Sequence, residues 1–239
     1  MISKDLALQY EKDYHTGAIK GSFGGFDEVH WTNNDPRWEQ TSHNLNRFFF
    51  SSYASHVGQE LSILELGAGM CSLTPKLIRH AHESFHYNAK VVGLDISQYA
   101  LEKAVDPTVS RTRACASALP FVSNCFDFVL AFDVLEHLPY ATFFKDALSE
   151  IDRVLKPKSF LIVTIPLKNL DGTENILESQ GIIEHYVVQP HDWWVKELDG
   201  AGFRYFSHLP YLKEDEDALN QFPFNMSPYN HYMMFVKHG

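Results

Sequence analysis

Two acidic residues stand where apolar runs of the sequence end, a position suited to a small polar ligand. Glu65 lies near the end of the run at 62–66, before a Gly-Ala-Gly turn at 67–69, and Asp95 ends the next run. Glycines permit a tight turn that brings backbone N–H groups close to a ligand. An acid about 20 residues further on can accept hydrogen bonds from ribose hydroxyls. The pattern predicts nucleoside binding; the alternatives are an ordinary strand–helix turn and an aspartate that caps a helix.

A histidine lies near the end of the third apolar segment, residues 126–138. Histidine titrates near neutral pH, so His137 is a candidate general base toward a reacting hydroxyl, or a contact for an amine. The alternative is that His137 packs or hydrogen-bonds locally at the start of a helix. Asp133 and Glu136 precede it in a D-x-x-E-H pattern, and such oxygen and imidazole ligands suit a divalent cation. A later histidine, such as His185, would complete that set.

The composition narrows the class of protein. The chain has 239 residues, 45% of them apolar, which is enough for one large core. Its net charge of −10, with 20 basic residues that form no cluster, argues against nucleic acid as a partner. No apolar stretch is long enough for a membrane span, and residues 1–20 lack the apolar region of a signal peptide. The three cysteines have no metal-type spacing and fit reduced thiols, so we expect a cytoplasmic protein.

The candidate residues follow strands of a predicted parallel sheet. Apolar runs without polar alternation, separated by helices of 8 to 15 residues, are typical of a parallel sheet covered on both faces. The predicted strands are 62–66, 90–97, 159–166, 203–209 and 231–237, with another that starts at 126 in the segment 126–138; the predicted helices begin at 71, 98, 141 and 191. Ligands of such sheets bind at the carboxyl ends of the strands.

Taken together, these segments resemble the class I S-adenosylmethionine-dependent methyltransferases with small-molecule acceptors. "LELGAGMCSLT" is similar to their first motif, "GLDIS" to the acid after strand two, and "ASALPFVSNCFDFVLAFDVLEHL" to their third and fourth motifs. The resemblance covers about residues 62–166, and its motifs occur in order. It implies an α/β fold of Rossmann-like, doubly wound type, with a seven-stranded mostly parallel sheet, an antiparallel last strand and helices on both faces.

The resemblance also implies which residues bind S-adenosylmethionine. Glu65 and the 67–69 turn would surround the methionine part, Asp95 the ribose, and Phe132 or Asp133 the sulfonium side. An alternative for Glu65 is that it orients the turn amides. The third glycine of the motif is Cys71 here, and Cys115 stands at the position where relatives often hold an acid against the adenine amino group. The residues implied as cofactor-binding are Glu65, Gly67, Ala68, Gly69, Asp95, Ile96, Ala116, Ser117 and Phe132.

The same D-x-x-E-H pattern resembles the metal site of some O-methyltransferases that act on vicinal hydroxyls. Many relatives carry the "LEH" segment without a metal. We therefore assign no metal ligand from the sequence, and a divalent cation remains the alternative.

The two ends of the chain are left to build the acceptor pocket. Residues 1–58 are predicted to form an N-terminal helical lid, or else a segment packed on the sheet, and 59–239 the methyltransferase domain with an insertion at 167–190. Aromatic residues are frequent in both regions, which suggests an aromatic-walled pocket. The residues predicted to line it are Tyr14, Trp31, Asp133, His185 and Trp194.

The sequence thus predicts an S-adenosylmethionine-dependent methyltransferase acting on a hydroxyl or amine of a small molecule, with S-adenosylhomocysteine as product. We expect a monomer or homodimer with no nucleic acid or membrane partner. One alternative is a methyltransferase of protein N-terminal amines, because "GGFDEV" faintly resembles a segment of those enzymes. Another is a partner protein that binds S-adenosylmethionine without transferring methyl, and a third is a nicotinamide oxidoreductase.

Overall fold

A computed structural model gives the architecture for residues 36–104, 106–167, 178–179, 182–183, 185–206 and 230–239. Tyr14, Trp31 and the "GGFDEV" segment lie outside these described residues.

Seven strands form one sheet, which confirms the predicted fold class. The sheet order is β3-β2-β1-β4-β5-β9-β8, and the last strand, β9, runs antiparallel to both of its neighbours, β5 and β8. A short antiparallel pair, β6 and β7, lies outside the sheet. In chain order the strands are β1 (Glu60–Leu66), β2 (Asn88–Asp95), β3 (Ser110–Arg113), β4 (Phe126–Phe132), β5 (Leu155–Pro166), β6 (Glu178–Ser179), β7 (Ile182–Ile183), β8 (Phe203–Tyr205) and β9 (Asn230–Lys237).

Helices precede and separate the strands. In the described residues they are α1 (Pro36–Leu45), α2 (Ser51–Val57), α3 (Thr74–Glu83), α4 (Gln98–Glu102), α5 (Lys145–Val154) and α6 (His191–Gly200). A π-helical turn, Asn46–Phe50, joins α1 to α2, and another, Tyr140–Phe144, leads into α5. Among the described residues, no helix is long and apolar enough to cross a membrane.

Both faces of the sheet are buried, as the continuous apolar runs predict. One core cluster joins the α1–α2 segment to β1, α3 and β4, with Leu45, Phe50 and Phe128 among its fully buried side chains. The other cluster packs α5 and α6 on the opposite face, around Ile151 and Trp194. Residues 36–57 therefore share a core with the sheet.

The chain reverses its direction of travel across the sheet between β1 and β4. From β1 it proceeds outward through β2 to β3, and it then returns to place β4 on the other side of β1. The loops after β1 and β4 therefore leave the sheet next to each other. Such a switch point opens a crevice at the carboxyl ends of the strands, where α/β folds bind ligands.

Candidate functional site

The turn after β1 adopts the left-handed conformation that its glycines allow. The φ angles are +64° at Gly67, +53° at Gly69 and +54° at Cys71. A side chain at Gly93 of β2 would lie 2.7 Å from the Cys71 sulfur, so the cysteine packs against a glycine on the neighbouring strand. Burial, followed by the nearby Glu65 and Asp95, raises the pKa of the Cys71 thiol to about 12. Cys71 is therefore an unreactive packing group, and its backbone has the left-handed conformation that a glycine would adopt at this position.

Asp95 joins the turn to the end of β2. Its Oδ2 accepts a hydrogen bond from the Gly69 N–H at 2.8 Å, and its Oδ1 accepts one from the Ser97 N–H at 2.8 Å. The carboxylate is only 7% exposed. Asp95 is not the N-cap of α4. That position is taken by Ser97, whose hydroxyl accepts a hydrogen bond from the Ala100 N–H. The two sequence features predicted to converge are thus in direct contact.

Glu65 is a buried carboxylate beside a small cavity. It accepts a hydrogen bond from the Thr74 hydroxyl at 2.5 Å rather than from the turn amides. The cavity is lined by Glu65, Gly67, Phe132 and Asp133, and by Trp38 of α1. Burial raises the pKa of Glu65 to about 7, opposed by the Thr74 bond and increased by Asp95. A positively charged group in the cavity would favour the ionised form.

The raised pKa makes a testable contribution to stability. Between pH 4.5 and 7 the folded protein keeps a proton on Glu65 that the unfolded chain has lost, so stability falls as pH rises. For a fully buried group shifted this far, the loss amounts to about 3 kcal/mol at pH 8. Glu65→Gln keeps an oxygen for Thr74 but has no charge, so we expect the variant to lack this decline.

The measurement is urea unfolding of both proteins from pH 4.5 to pH 8. Because other titrating groups contribute to both, the difference in unfolding free energy isolates Glu65. Parallel pH curves for the two proteins would contradict the assignment.

The residues expected around adenine lie at the ends of β2 and β3. Ile96 is partly buried against the core, Ala116 is buried, and the Ser117 hydroxyl lies 3.1 Å from the Cys115 sulfur. Arg113, which the sequence analysis missed, pairs in register with Asp95 and donates from Nε to the Ile96 carbonyl at 2.9 Å. It was missed because β3 reads Ser-Arg-Thr-Arg, a polar edge strand without an apolar signal.

A second group of polar side chains forms after β4, at Glu136, His137 and His185. One ligand-type atom from each lies within 4.8 Å of the others. The rings of His137 and His185 meet edge to face with centroids 4.8 Å apart. The Glu136 carbonyl accepts the N–H groups of Tyr186 and Val187, at 2.7 and 3.1 Å, which holds the segment carrying His185 against the loop after β4. The structure thus brings together His137, the candidate general base, and His185, a residue predicted to line the acceptor pocket.

Glu136 is the least solvated member of this group. Its side chain is 1% exposed, and within the described part of the chain neither carboxylate oxygen has a hydrogen-bond partner. Burial, reinforced by Asp133, holds its pKa well above the usual range. Buried carboxylates normally have donors, so this one requires an explanation.

Asp133 is not part of that group. Its N–H donates to the carbonyl and hydroxyl of Thr164, and its Oδ1 accepts from the same hydroxyl at 2.8 Å. The left-handed backbone at Asp133, with φ of +53°, turns the chain away from β4 at this point. The D-x-x-E-H pattern therefore separates into Asp133, which lines the cavity with Phe132, and the Glu136–His137 pair.

Trp194 is a correction to the predicted acceptor pocket. It is fully buried in the core and packs on Phe144, with ring centroids 5.6 Å apart. The adjacent Trp193 is only partly buried and contacts Tyr140. On a helix only one of two neighbouring side chains faces the core, and here it is Trp194. Trp38 lines the cavity; Tyr14 and Trp31 lie outside the described residues.

Comparison with known proteins shows what the central segment is similar to. Residues 64–163 match the model of a methyltransferase domain. An uncharacterized protein of Methanocaldococcus jannaschii is 35% identical over 121 residues, which is 50% of this chain. The chain spans about half the length of that curated relative, 49%.

Solved structures share the fold at low sequence identity. A Burkholderia thailandensis 1,6-didemethyltoxoflavin-N1-methyltransferase, with S-adenosylhomocysteine bound, superimposes with a TM-score of 0.60 at 15% identity, covering 95% of this chain and 84% of that one. An S-adenosylmethionine-dependent methyltransferase of Methanosarcina mazei gives 0.55 at 15% identity, covering 78% and 97%. The cyclase SpnF gives 0.54 at 16% identity, covering 79% and 80%. Since one of these neighbours is a cyclase, the fold does not specify the reaction.

Proposed function

We propose that this chain, whose residues 64–163 match the model of a methyltransferase domain, is a class I S-adenosylmethionine-dependent methyltransferase that transfers a methyl group to a hydroxyl or amine of a small molecule. S-Adenosylmethionine is the cofactor. It supplies an activated methyl group on sulfur, so the protein's main task is to position the acceptor in line with it. The acceptor type is our inference, and the Burkholderia neighbour, an N1-methyltransferase, is an example of that type.

The proposal rests on one contact between two sides of the crevice. We call the turn at 67–69 with Asp95 the cofactor side, and the loop after β4 with Glu136, His137 and His185 the acceptor side. A side chain at Gly67 would lie 2.4 Å from a methyl group of Val134, in the loop that leads to His137. The turn that would bind methionine and the loop that holds the Glu136, His137 and His185 group are therefore in van der Waals contact. A methyl group presented at this junction would meet the acceptor side directly.

The residues of the cofactor side suit an adenosyl ligand chemically. Asp95 is already oriented by two backbone amides, and carboxylate oxygens accept more than one hydrogen bond each, so the acid can also receive a ribose hydroxyl. The buried Glu65 borders the cavity, where an ammonium group would be stabilised by its negative charge. We assign Asp95 to the ribose, Glu65 to the amino-acid end and Phe132 to the sulfonium side.

The test is titration calorimetry with S-adenosylmethionine, S-adenosylhomocysteine and NAD on the full chain. We expect saturable binding of the first two and none of NAD. A labelled methyl donor incubated with phenols, sugars, amines and peptides then identifies the acceptor class. Saturable binding of NAD alone would overturn the proposal, and transfer only to peptides would replace the small-molecule acceptor.

We assign activation of the acceptor to His137. Since positioned proton transfer contributes about 100-fold or more to rate, His137→Ala should lower kcat on a hydroxyl acceptor by about that factor. The affinity for S-adenosylmethionine should stay the same, because the cofactor residues are untouched. The control is His82→Ala, on the exposed face of α3. Full activity of His137→Ala at neutral pH would show that the histidine only packs locally.

A further inference from the structure

We propose that Glu136, His137 and His185 bind a divalent transition-metal cation. Their ligand-type atoms already lie within 4.8 Å of one another, and His137 Nε2 is 3.9 Å from Glu136 Oε1. Ligands about 2.1 Å from a common ion are separated by roughly 3 to 4 Å, so a small change in side-chain rotamers would close the site. The sequence assigns no metal ligand but leaves a divalent cation at the D-x-x-E-H pattern and His185 as the alternative; the inference adopts that alternative without Asp133.

The buried carboxylate is the independent observation that points to a cation. The Glu136 side chain is 1% exposed, and neither of its oxygens has a hydrogen-bond partner in the described residues. Burial without donors is costly for such a group, and paired charges or bound metals are what normally offset that cost. Its oxygen lies next to two imidazole rings, which are themselves good ligands for transition metals.

The backbone holds this arrangement in place. Glu136 and His137 belong to a 3-10 turn, Leu135–His137, whose hydrogen bonds fix the two side chains at adjacent positions. His185 is far away in sequence, but the Glu136 carbonyl accepts the N–H groups of Tyr186 and Val187. Val187 is 2% exposed and belongs to the main core, which anchors the segment. The same residue thus provides a ligand with its side chain and positions another ligand with its carbonyl.

The chemistry of the three ligands limits the choice of cation. One carboxylate and two imidazoles suit Zn²⁺, Mn²⁺, Fe²⁺ or Co²⁺ better than Mg²⁺ or Ca²⁺, which prefer oxygen. Three protein ligands also leave open coordination positions, as catalytic sites require. Asp133 is not needed, because Thr164 already holds its carboxylate.

The consequence for catalysis rests on the proposed function. An acceptor hydroxyl bound at an open position would lose its proton to water more readily, since a cation stabilises the alkoxide. That oxygen would then attack the methyl carbon, and the carbon–sulfur bond would break with its electron pair left on sulfur as S-adenosylhomocysteine. The site would thus narrow the acceptor from hydroxyl or amine to hydroxyl. His137 would then activate the acceptor through the cation rather than as a free base, and the loss of kcat expected in His137→Ala would be the loss of a ligand.

The experiment titrates the chelator-treated full chain with Co²⁺ followed by visible absorption, and with Zn²⁺ followed by calorimetry. Neither titration needs cofactor or acceptor. We expect one equivalent of each cation and Co²⁺ bands typical of nitrogen and oxygen ligands. Glu136→Gln and His185→Asn should each weaken binding at least tenfold. The matched control His82→Asn, on an exposed helix face, should bind as the wild type does.

Absence of stoichiometric binding to the wild type would overturn the proposal, as would unchanged binding in both Glu136→Gln and His185→Asn. Thermal melts check that each variant folds, and if one does not, the other variant and the wild-type titration decide. Calorimetry with S-adenosylmethionine on the same preparation separates the two proposals. Cofactor binding without cation binding refutes only the metal site, and cation binding without cofactor binding refutes only the methyltransferase activity.

Discussion

Asp95→Asn should abolish measurable binding of S-adenosylmethionine at micromolar concentration. The carboxylate holds the Gly69 and Ser97 amides at 2.8 Å and is assigned to the ribose. Asparagine replaces one carboxylate oxygen with an NH2 group, which is a donor. That group would face a backbone N–H and could not accept its hydrogen bond. Hydrogen bonds to a charged group are worth about 1.5–3 kcal/mol each, so losing one to the turn and one to the ribose lowers affinity by roughly 100-fold or more.

A matched control exists at the amino ends of the strands, away from the crevice at their carboxyl ends. Asp127 of β4 is 2% exposed, accepts the Ser62 N–H at 2.9 Å and is paired with Lys156 at 2.9 Å. Asp127→Asn should lower the melting temperature, because it removes the charge of a buried carboxylate that is paired with the partly exposed Lys156, but it should leave cofactor affinity unchanged. Calorimetry and thermal melts of both variants are the measurements. Equal loss of affinity in the two variants would mean that Asp95 acts only through general stability.

The contact between the turn at 67–69 and Asp95 was predictable because the signals are local. Each strand that leads to it is a continuous apolar run, and the conformational demands of the turn appear in the sequence as glycines. The order of strands then places the ends of β1 and β2 side by side. By contrast, β3 was missed, since its four residues are polar and only their pairing with β2 makes them a strand.

The acceptor side was only partly predictable because it depends on long-range pairing. The sequence shows that Glu136 and His137 are adjacent, but not that Glu136 is buried without donors. That state follows from residues 185–188 folding back onto the Glu136 carbonyl, about 50 residues later in the chain. In the same way, nothing local decides between Trp193 and Trp194 as the core residue. Hydrophobic periodicity allows both, and both rings contact Phe144, but only Trp194 is fully buried in the core.

Gly67 links the two sides of the crevice, since its missing side chain makes room for Val134. Gly67→Ala should therefore be severely destabilising. Its φ of +64° costs an L-residue about 1–2 kcal/mol, and the Val134 methyl at 2.4 Å adds an overpacking cost of about 1–3 kcal/mol. We expect an unfolding free energy lower by about 2–5 kcal/mol, together with loss of cofactor binding. Urea unfolding and calorimetry measure the two effects.

A double-variant cycle separates the clash from the backbone strain. In Gly67→Ala with Val134→Ala the two Cβ atoms are 3.7 Å apart, an ordinary contact, so the overpacking cost should disappear while the strain remains. The double variant should therefore be more stable than the sum of the single effects by roughly 1–3 kcal/mol. Gly58→Ala isolates the strain, because Gly58 has φ of +103° and no atom within 4 Å of the added carbon. Additive effects would show that the turn and the loop do not touch, and the route from cofactor to acceptor would then have to lie elsewhere.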